Sequence, residues 1–197
     1  MRASAAGVPS RTGRAAVFLD RDGVLNRSAV RDGKPRAPRT LAEFRMLPGV
    51  RRAVERLRRR NLLIVVVTNQ PDIGHGLIDP AQVEAMHERL ASRIPIDAIE
   101  ICPHRQDAGC DCRKPRIGML KAAARRLKID FSRSFMVGDR ASDVLAGHDA
   151  GCYTIFVNRG YDTHMSVRPN GIARSLSGAV DIIVRVVEQH NLEKVHR

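Results

Sequence analysis

The chain has 197 residues, 43% of them hydrophobic, and a net charge of +13. That length and apolar content suffice for one well-cored domain without disulfide staples. The absence of any run of about eighteen apolar residues excludes a membrane-spanning helix, and 4% aromatics with no Trp leave few stacking platforms for single-stranded nucleic acid.

Residues 1–13 are small, polar and basic and lack the apolar core of a signal peptide. They read as a disordered tail, residues 14–197 as a single domain, and the compartment as the cytoplasm. Residues 15–19 are continuously apolar, the pattern of a strand buried on both faces of a parallel sheet. That strand ends on Asp20 and Asp22, followed by Gly23. The carboxyl ends of strands in open α/β sheets are where ligands bind. Two carboxylates there can hold a divalent cation, and one can attack phosphorus. Taken alone, the pair also reads as a turn cap.

Residues 27–44 show no clear period and carry Gly33, Pro35 and Pro38 among basic residues. They read as a loop or flap over the end of the first strand. An amphipathic helix is predicted over 48–60 from Val50, Val54 and Leu57, with Pro48 at its start. Its arginines (51, 52, 56, 58, 59 and 60) read as a solvated face. A second buried strand, 62–67, ends in Thr68, Asn69 and Gln70, whose hydroxyl and amides can donate to an anion. Residues 71–78 read as a turn. A helix from Pro80 to about 93 follows, capped by Asp79, with His87 structural or exposed. Residues 96–101 read as a third strand.

Cys102, His104, Cys110 and Cys112 fall within eleven residues. Thiolates and an imidazole in two short-gap pairs joined by five residues suit a closed, tetrahedral structural zinc site. Unmetallated thiols are the alternative. A pinned loop would deliver Arg113 and Lys114 to a fixed place, where both can meet anionic oxygens. After a helix over 117–127, a short strand at 134–137 ends in Gly138, Asp139 and Arg140. Asp143 stands one helical turn later and can face the same site. A helix continues to 150 and stops at Gly151. Residues 153–157 read as a fifth strand, 158–175 as a polar loop, and 176–195 as a last helix. Cys152 reads as core.

The motifs DRDGVLN, TNQ, RKP and GDRASD, in this order, resemble those of the haloacid dehalogenase (HAD) superfamily of phosphotransferases over residues 15–160. The insertion CPHRQDAGCDCRKP is similar to that of its zinc-containing, histidinol-phosphatase-like subfamily. That group includes phosphatases of heptose 1,7-bisphosphates and of histidinol phosphate. The resemblance implies an α/β, Rossmann-like three-layer sandwich with a mostly parallel sheet, a minimal cap and a zinc-bound loop. It implies Mg²⁺-dependent phosphomonoester hydrolysis through an aspartyl-phosphate. By motif, Asp20 would be the nucleophile and Asp22 the general acid/base. Thr68 and Lys114 would hold the phosphoryl group. Mg²⁺ would sit on Asp20, the Asp22 carbonyl and Asp139, with Asp143 a further candidate. Arg21, Asn69, Gln70, Arg113 and Arg140 would contact substrate. The expected partner is an anionic small molecule, a heptose 1,7-bisphosphate ahead of histidinol phosphate, handled by a monomer. A zinc-stabilised nucleic-acid-binding module is the reading from another class, with the +13 charge as its main feature.

Overall fold

The computed structural model describes residues 13–31, 34–161 and 165–195. The tail expected to be disordered lies, up to residue 12, outside the described residues. Six strands form one sheet: β1 (Ala16–Leu19), β4 (Leu63–Asn69), β5 (Ala98–Cys102), β6 (Phe135–Gly138), β7 (Tyr153–Val157) and β8 (Gly171–Ala173). Their order is β5-β4-β1-β6-β7-β8. Every neighbouring pair is parallel.

Alternation along β1 shows why the first strand is apolar throughout. Val17 and Leu19 pack on one side with α1 (Val50–Arg58), α3 (Pro80–Ala91) and α6 (Leu176–Val195). Ala16 and Phe18 pack on the other with α4 (Gly118–Leu127). α5 (Ala141–Ala150) joins that second layer, its Gly147 lying so close to Met136 that a Cβ would stand 2.5 Å from the Met136 side chain. The result is the expected three-layer sandwich. The chain runs outward from β1 to β4 and β5, then returns to β6 beside β1. This reversal opens a crevice at the carboxyl ends of β1 and β6, where ligands bind in such sheets.

Three short elements differ from the sequence reading. The expected flap loop contains an antiparallel hairpin, β2 (Ala29–Arg31) with β3 (Lys34–Arg36). The expected polar loop before the last helix contains β8, which extends the sheet along β7. The turn after the second strand holds α2 (Pro71–Gly74). The first helix begins at Val50 rather than Pro48, because Gly49 takes a left-handed conformation at φ 79°. Asp79 caps α3 as expected, accepting from the Ala81 N–H at 2.8 Å, and Gly151 ends α5 at φ 82°. Among the described residues no helix is long and apolar enough to cross a membrane.

The arginine-rich α1 is laced by carboxylates. Arg51 pairs with Glu55, Arg56 with Asp181, Arg58 with Asp97 and Arg60 with Glu188. Such surface pairs add little stability, but they occupy much of the charge that a nucleic-acid backbone would need.

Candidate active site

A cleft of about 470 Å³ opens at the carboxyl ends of β1, β4 and β6, lined by Asp20, Asp22, Asn69, Arg113, Lys114, Arg140 and Asp143 among others. Asp20 leaves β1 with its N–H bonded to the Val137 carbonyl of β6 at 2.9 Å. Gly23 then turns the chain at φ 91°, a conformation that L side chains rarely adopt. A Cβ at Gly23 would stand 1.8 Å from Asp139 Oδ2, so the two loops can close together only over glycine.

Lys114 is almost fully buried. Its Nζ donates to Asp20 Oδ1 at 2.6 Å and to the Val67 carbonyl at 2.7 Å, and it lies 2.7 Å from Asp143 Oδ1. An ammonium has three donors, and these three acceptors can take them all. Lys114 therefore meets an incoming anion as a fixed positive charge. Its pKa is raised because the attraction of Asp143 and Asp20 outweighs the burial that works against it. Its backbone is fixed by Asn69, whose Nδ2 donates to the Lys114 carbonyl and whose Oδ1 accepts from the Lys114 N–H, both at 3.1 Å.

Asp20, Asp139 and Asp143 bring carboxylate oxygens within 4.8 Å of one another. Burial raises the pKa of Asp20 and of Asp139; repulsion from Asp143 and Asp22 adds to it at Asp20, and repulsion from Asp20 and Asp143 at Asp139. Asp139 Oδ1 is buried with no hydrogen-bond partner, while Tyr161 Oη donates to Oδ2. An orphaned carboxylate oxygen among clustered acids fits a hard divalent cation. Asp143 is fixed from two sides, by Lys114 and by the Arg140 N–H, which donates to its Oδ2 at 3.1 Å. Gly138 makes room for it, since a Cβ there would stand 2.1 Å from the Asp143 Cβ.

Not all expected substrate contacts reach the cleft. Arg21 is fully buried. Its Nη2 lies 3.1 and 3.0 Å from the two Asp22 oxygens, and its Nη1 lies 3.2 Å from His87 Nε2. Arg21, expected to contact substrate, instead supports Asp22 from behind. Gln70, also buried, donates from Nε2 to Asp22 Oδ2 at 2.7 Å and to Thr68 Oγ1 at 2.8 Å. It links two expected catalytic groups and does not line the cleft. Thr68 lies beneath the lining, 1% exposed. Arg113 and Arg140 do line the cleft, joined by Arg36 from the hairpin. Arg113 Nη1 is buried without a partner among the described residues. Arg140 Nη2 donates to the Pro35 carbonyl at 3.1 Å, tying the hairpin to α5, and its guanidinium stacks on Tyr161.

Sequence reasoning missed Gln106 and Tyr161, and it named Arg36 only as one of the flap's basic residues (Arg27, Arg31, Lys34, Arg36, Arg39) that could meet a charged substrate. The basic flap pointed to Arg36, but Arg31 and Arg39 had equal claim. The structure separates them, because Arg31 is paired with Glu43 and Arg39 with Asp72.

The four candidate zinc donors converge as well. The Cys102 and Cys110 sulfurs are 3.6 Å apart, those of Cys110 and Cys112 3.5 Å, and His104 Nδ1 lies 3.2 Å from Cys112 Sγ. Tetrahedral zinc with its usual bond lengths spaces such donors by about 3.5–3.8 Å. The thiols are free of disulfides, and burial raises those of Cys102 and Cys112. A cation at their centre would remove that penalty. Arg113 follows Cys112 directly, so the cluster sets where the two basic groups of the cleft emerge.

Three comparisons accord with this geometry. A HAD-hydrolase-like family model matches residues 111–179. The D-glycero-beta-D-manno-heptose-1,7-bisphosphate 7-phosphatase of Bordetella bronchiseptica is 37% identical over 149 residues, 73% of this chain and 80% of that protein. The alpha-anomer 7-phosphatase of Mycobacterium tuberculosis is 39% identical over 139 residues, 68% of this chain and 71% of the relative. The crystal structure of a B. bronchiseptica heptose 1,7-bisphosphate phosphatase, complexed with magnesium and phosphate, superposes at a TM-score of 0.73 and 31% identity, covering 87% of this chain and 98% of that one.

Proposed function

The chain belongs to the HAD-like phosphatases, and from that premise we propose that it removes the 7-phosphate of a D-glycero-D-manno-heptose 1,7-bisphosphate. The observation that carries the substrate class is the set of guanidinium groups in the cleft. Arg36, Arg113 and Arg140 line the same space as Asp20, and the buried Arg113 Nη1 has no partner among the described residues. A substrate with a second phosphate would supply the missing acceptor. Histidinol phosphate fits less well, since its amine would want a free carboxylate near the entrance. Glu43 is held by Arg31, and Asp72, on the cleft wall, is held by Arg39.

In this reading Asp20 attacks phosphorus. The ester P–O bond breaks, and Asp22 gives its proton to the departing alkoxide oxygen. Water then attacks the aspartyl-phosphate, with Asp22 taking the water's proton, and inorganic phosphate leaves. Lys114 offsets the repulsion between the Asp20 carboxylate and the phosphate, and Thr68 and Asn69 keep the site in shape. Mg²⁺ would be held by Asp20, Asp139 and the Asp22 carbonyl, with Asp143 nearby, and would neutralise charge on the transferring group. Zinc on Cys102, His104, Cys110 and Cys112 would be structural.

A panel tests the reading: Mg²⁺-dependent phosphate release from both anomers of heptose 1,7-bisphosphate, from histidinol phosphate and from a 5′-phosphorylated oligonucleotide. The highest kcat/KM is expected on a heptose bisphosphate. A preference for histidinol phosphate or the oligonucleotide would overturn it.

A further inference from the structure

Arg21 is the largest fully buried side chain of the described residues. A guanidinium so placed is costly unless its donors are met by good acceptors. Here they are met in a directed way. Nε and Nη2 face Asp22, and three donors converge on its Oδ1: Arg21 Nε at 3.2 Å, Arg21 Nη2 at 3.1 Å and Asn26 Nδ2 at 2.8 Å. Oδ2 has only Arg21 Nη2 at 3.0 Å and Gln70 Nε2 at 2.7 Å. The far end of the guanidinium is braced too. Nη1 meets His87 Nε2 of α3 at 3.2 Å, and the group lies 5.9 Å from the centre of the Phe44 ring.

His87 is suited to this brace. Burial, then the Arg21 charge, push its pKa down to about 4. At neutral pH the ring is uncharged, and its Nε2 accepts from Arg21 while Nδ1 carries the proton.

Resting on the phosphatase reading, we propose that Arg21 and His87 are positioning residues for proton transfer by Asp22. Together with Asn26 they fix the Asp22 carboxyl through Oδ1, and Oδ2, on exchanging its Gln70 contact for a proton, is the oxygen that gives that proton to the leaving group and later takes one from water. Arg21 touches neither substrate nor metal. Its contribution passes through the orientation of Asp22 and falls both on the departure of the alkoxide and on the later attack of water.

The consequence is a dependence on the leaving group. A sugar alkoxide needs a proton to leave, whereas p-nitrophenolate leaves without one. Steady-state kinetics on the full chain with Mg²⁺ compare a heptose bisphosphate with p-nitrophenyl phosphate for wild type, Arg21→Met, His87→Leu and His87→Gln. For Arg21→Met the account expects kcat/KM on the sugar phosphate, which reports steps up to the departure of the alkoxide, to fall about 10²-fold or more, in keeping with the loss of general-acid catalysis. The kcat/KM on p-nitrophenyl phosphate, which stops short of the water step, should stay within about threefold of wild type. His87→Leu should shift the same ratio by less, and His87→Gln, which keeps an acceptor facing Nη1, should restore most of it. Equal losses of kcat/KM on both substrates would overturn the proposal. If Arg21→Met does not fold, the His87 pair decides by the same ratio. A wild-type protein inactive on every monoester would instead overturn the phosphatase reading.

Discussion

Lys114 Nζ lies 2.6 Å from Asp20 Oδ1, with the lysine side chain 2% and the aspartate side chain 10% exposed. The pair joins a strand end to the loop that follows the cysteine cluster, 94 residues later. Its second carboxylate, Asp143, comes from α5. Removing the lysine would leave two buried carboxylates without their counter-charge. Breaking a buried ion pair from one side costs about 3–5 kcal/mol. Lys114→Met should therefore lower stability by that order in chelator-treated protein and abolish turnover. Urea denaturation beside a phosphate-release assay checks both.

Gly23 should tolerate no side chain. In Gly23→Ala the Cβ would overlap Asp139 Oδ2 at 1.8 Å and also crowd Tyr161 Oη. The expected outcome is a folded protein that has lost activity and weakened Mg²⁺ binding, because Asp139 must move. Titration calorimetry with Mg²⁺ measures this. Wild-type affinity in the variant would show that Asp139 is not a ligand.

The cysteine cluster should carry one zinc per chain. Cys112→Ser removes a donor that now stands 3.2 Å from His104 Nδ1. Metal content by plasma mass spectrometry should fall toward zero. Amide exchange should rise around residues 102–116, and KM for the bisphosphate should rise as Arg113 loses its fixed position. Unchanged metal content would remove the site.

Stability should have an acid limb set by His87. Its folded pKa is about 4 against an ordinary 6.5. The fold therefore prefers the neutral ring, and this contribution is complete above about pH 6.5. It is lost as pH falls from there toward 4, because the unfolded chain takes up the proton first. His87→Gln should flatten the fall in denaturation midpoint across that window. A slope unchanged in the variant would place the limb on other groups.

Much of the frame could be read from the sequence because β1, β4, β6 and β7 are short apolar runs buried on both faces, each ended by polar residues. The 20-residue α6 agreed at both ends. β8 and the β2–β3 hairpin were missed because three-residue strands have no period to detect, and Lys34, Pro35 and Arg36 look like loop. Asp20, Asp22, Asn69 and Arg140, which line one cleft, stood out in the sequence by their places at strand ends. Arg21 was misplaced for a different reason. It was assigned to substrate by motif, and the partner that braces it inside, His87, lies 66 residues away. Gln70 turned inward likewise, toward Asp22 48 residues back.

The account depends most directly on the carboxylate of Asp20. Steady-state phosphate release by Asp20→Asn, purified free of wild-type enzyme and assayed with Mg²⁺ and heptose 1,7-bisphosphate, tests it alone. No turnover above background is predicted, with substrate binding retained. Measurable turnover by the asparagine variant would contradict an aspartyl-phosphate route and the site assignment built on it.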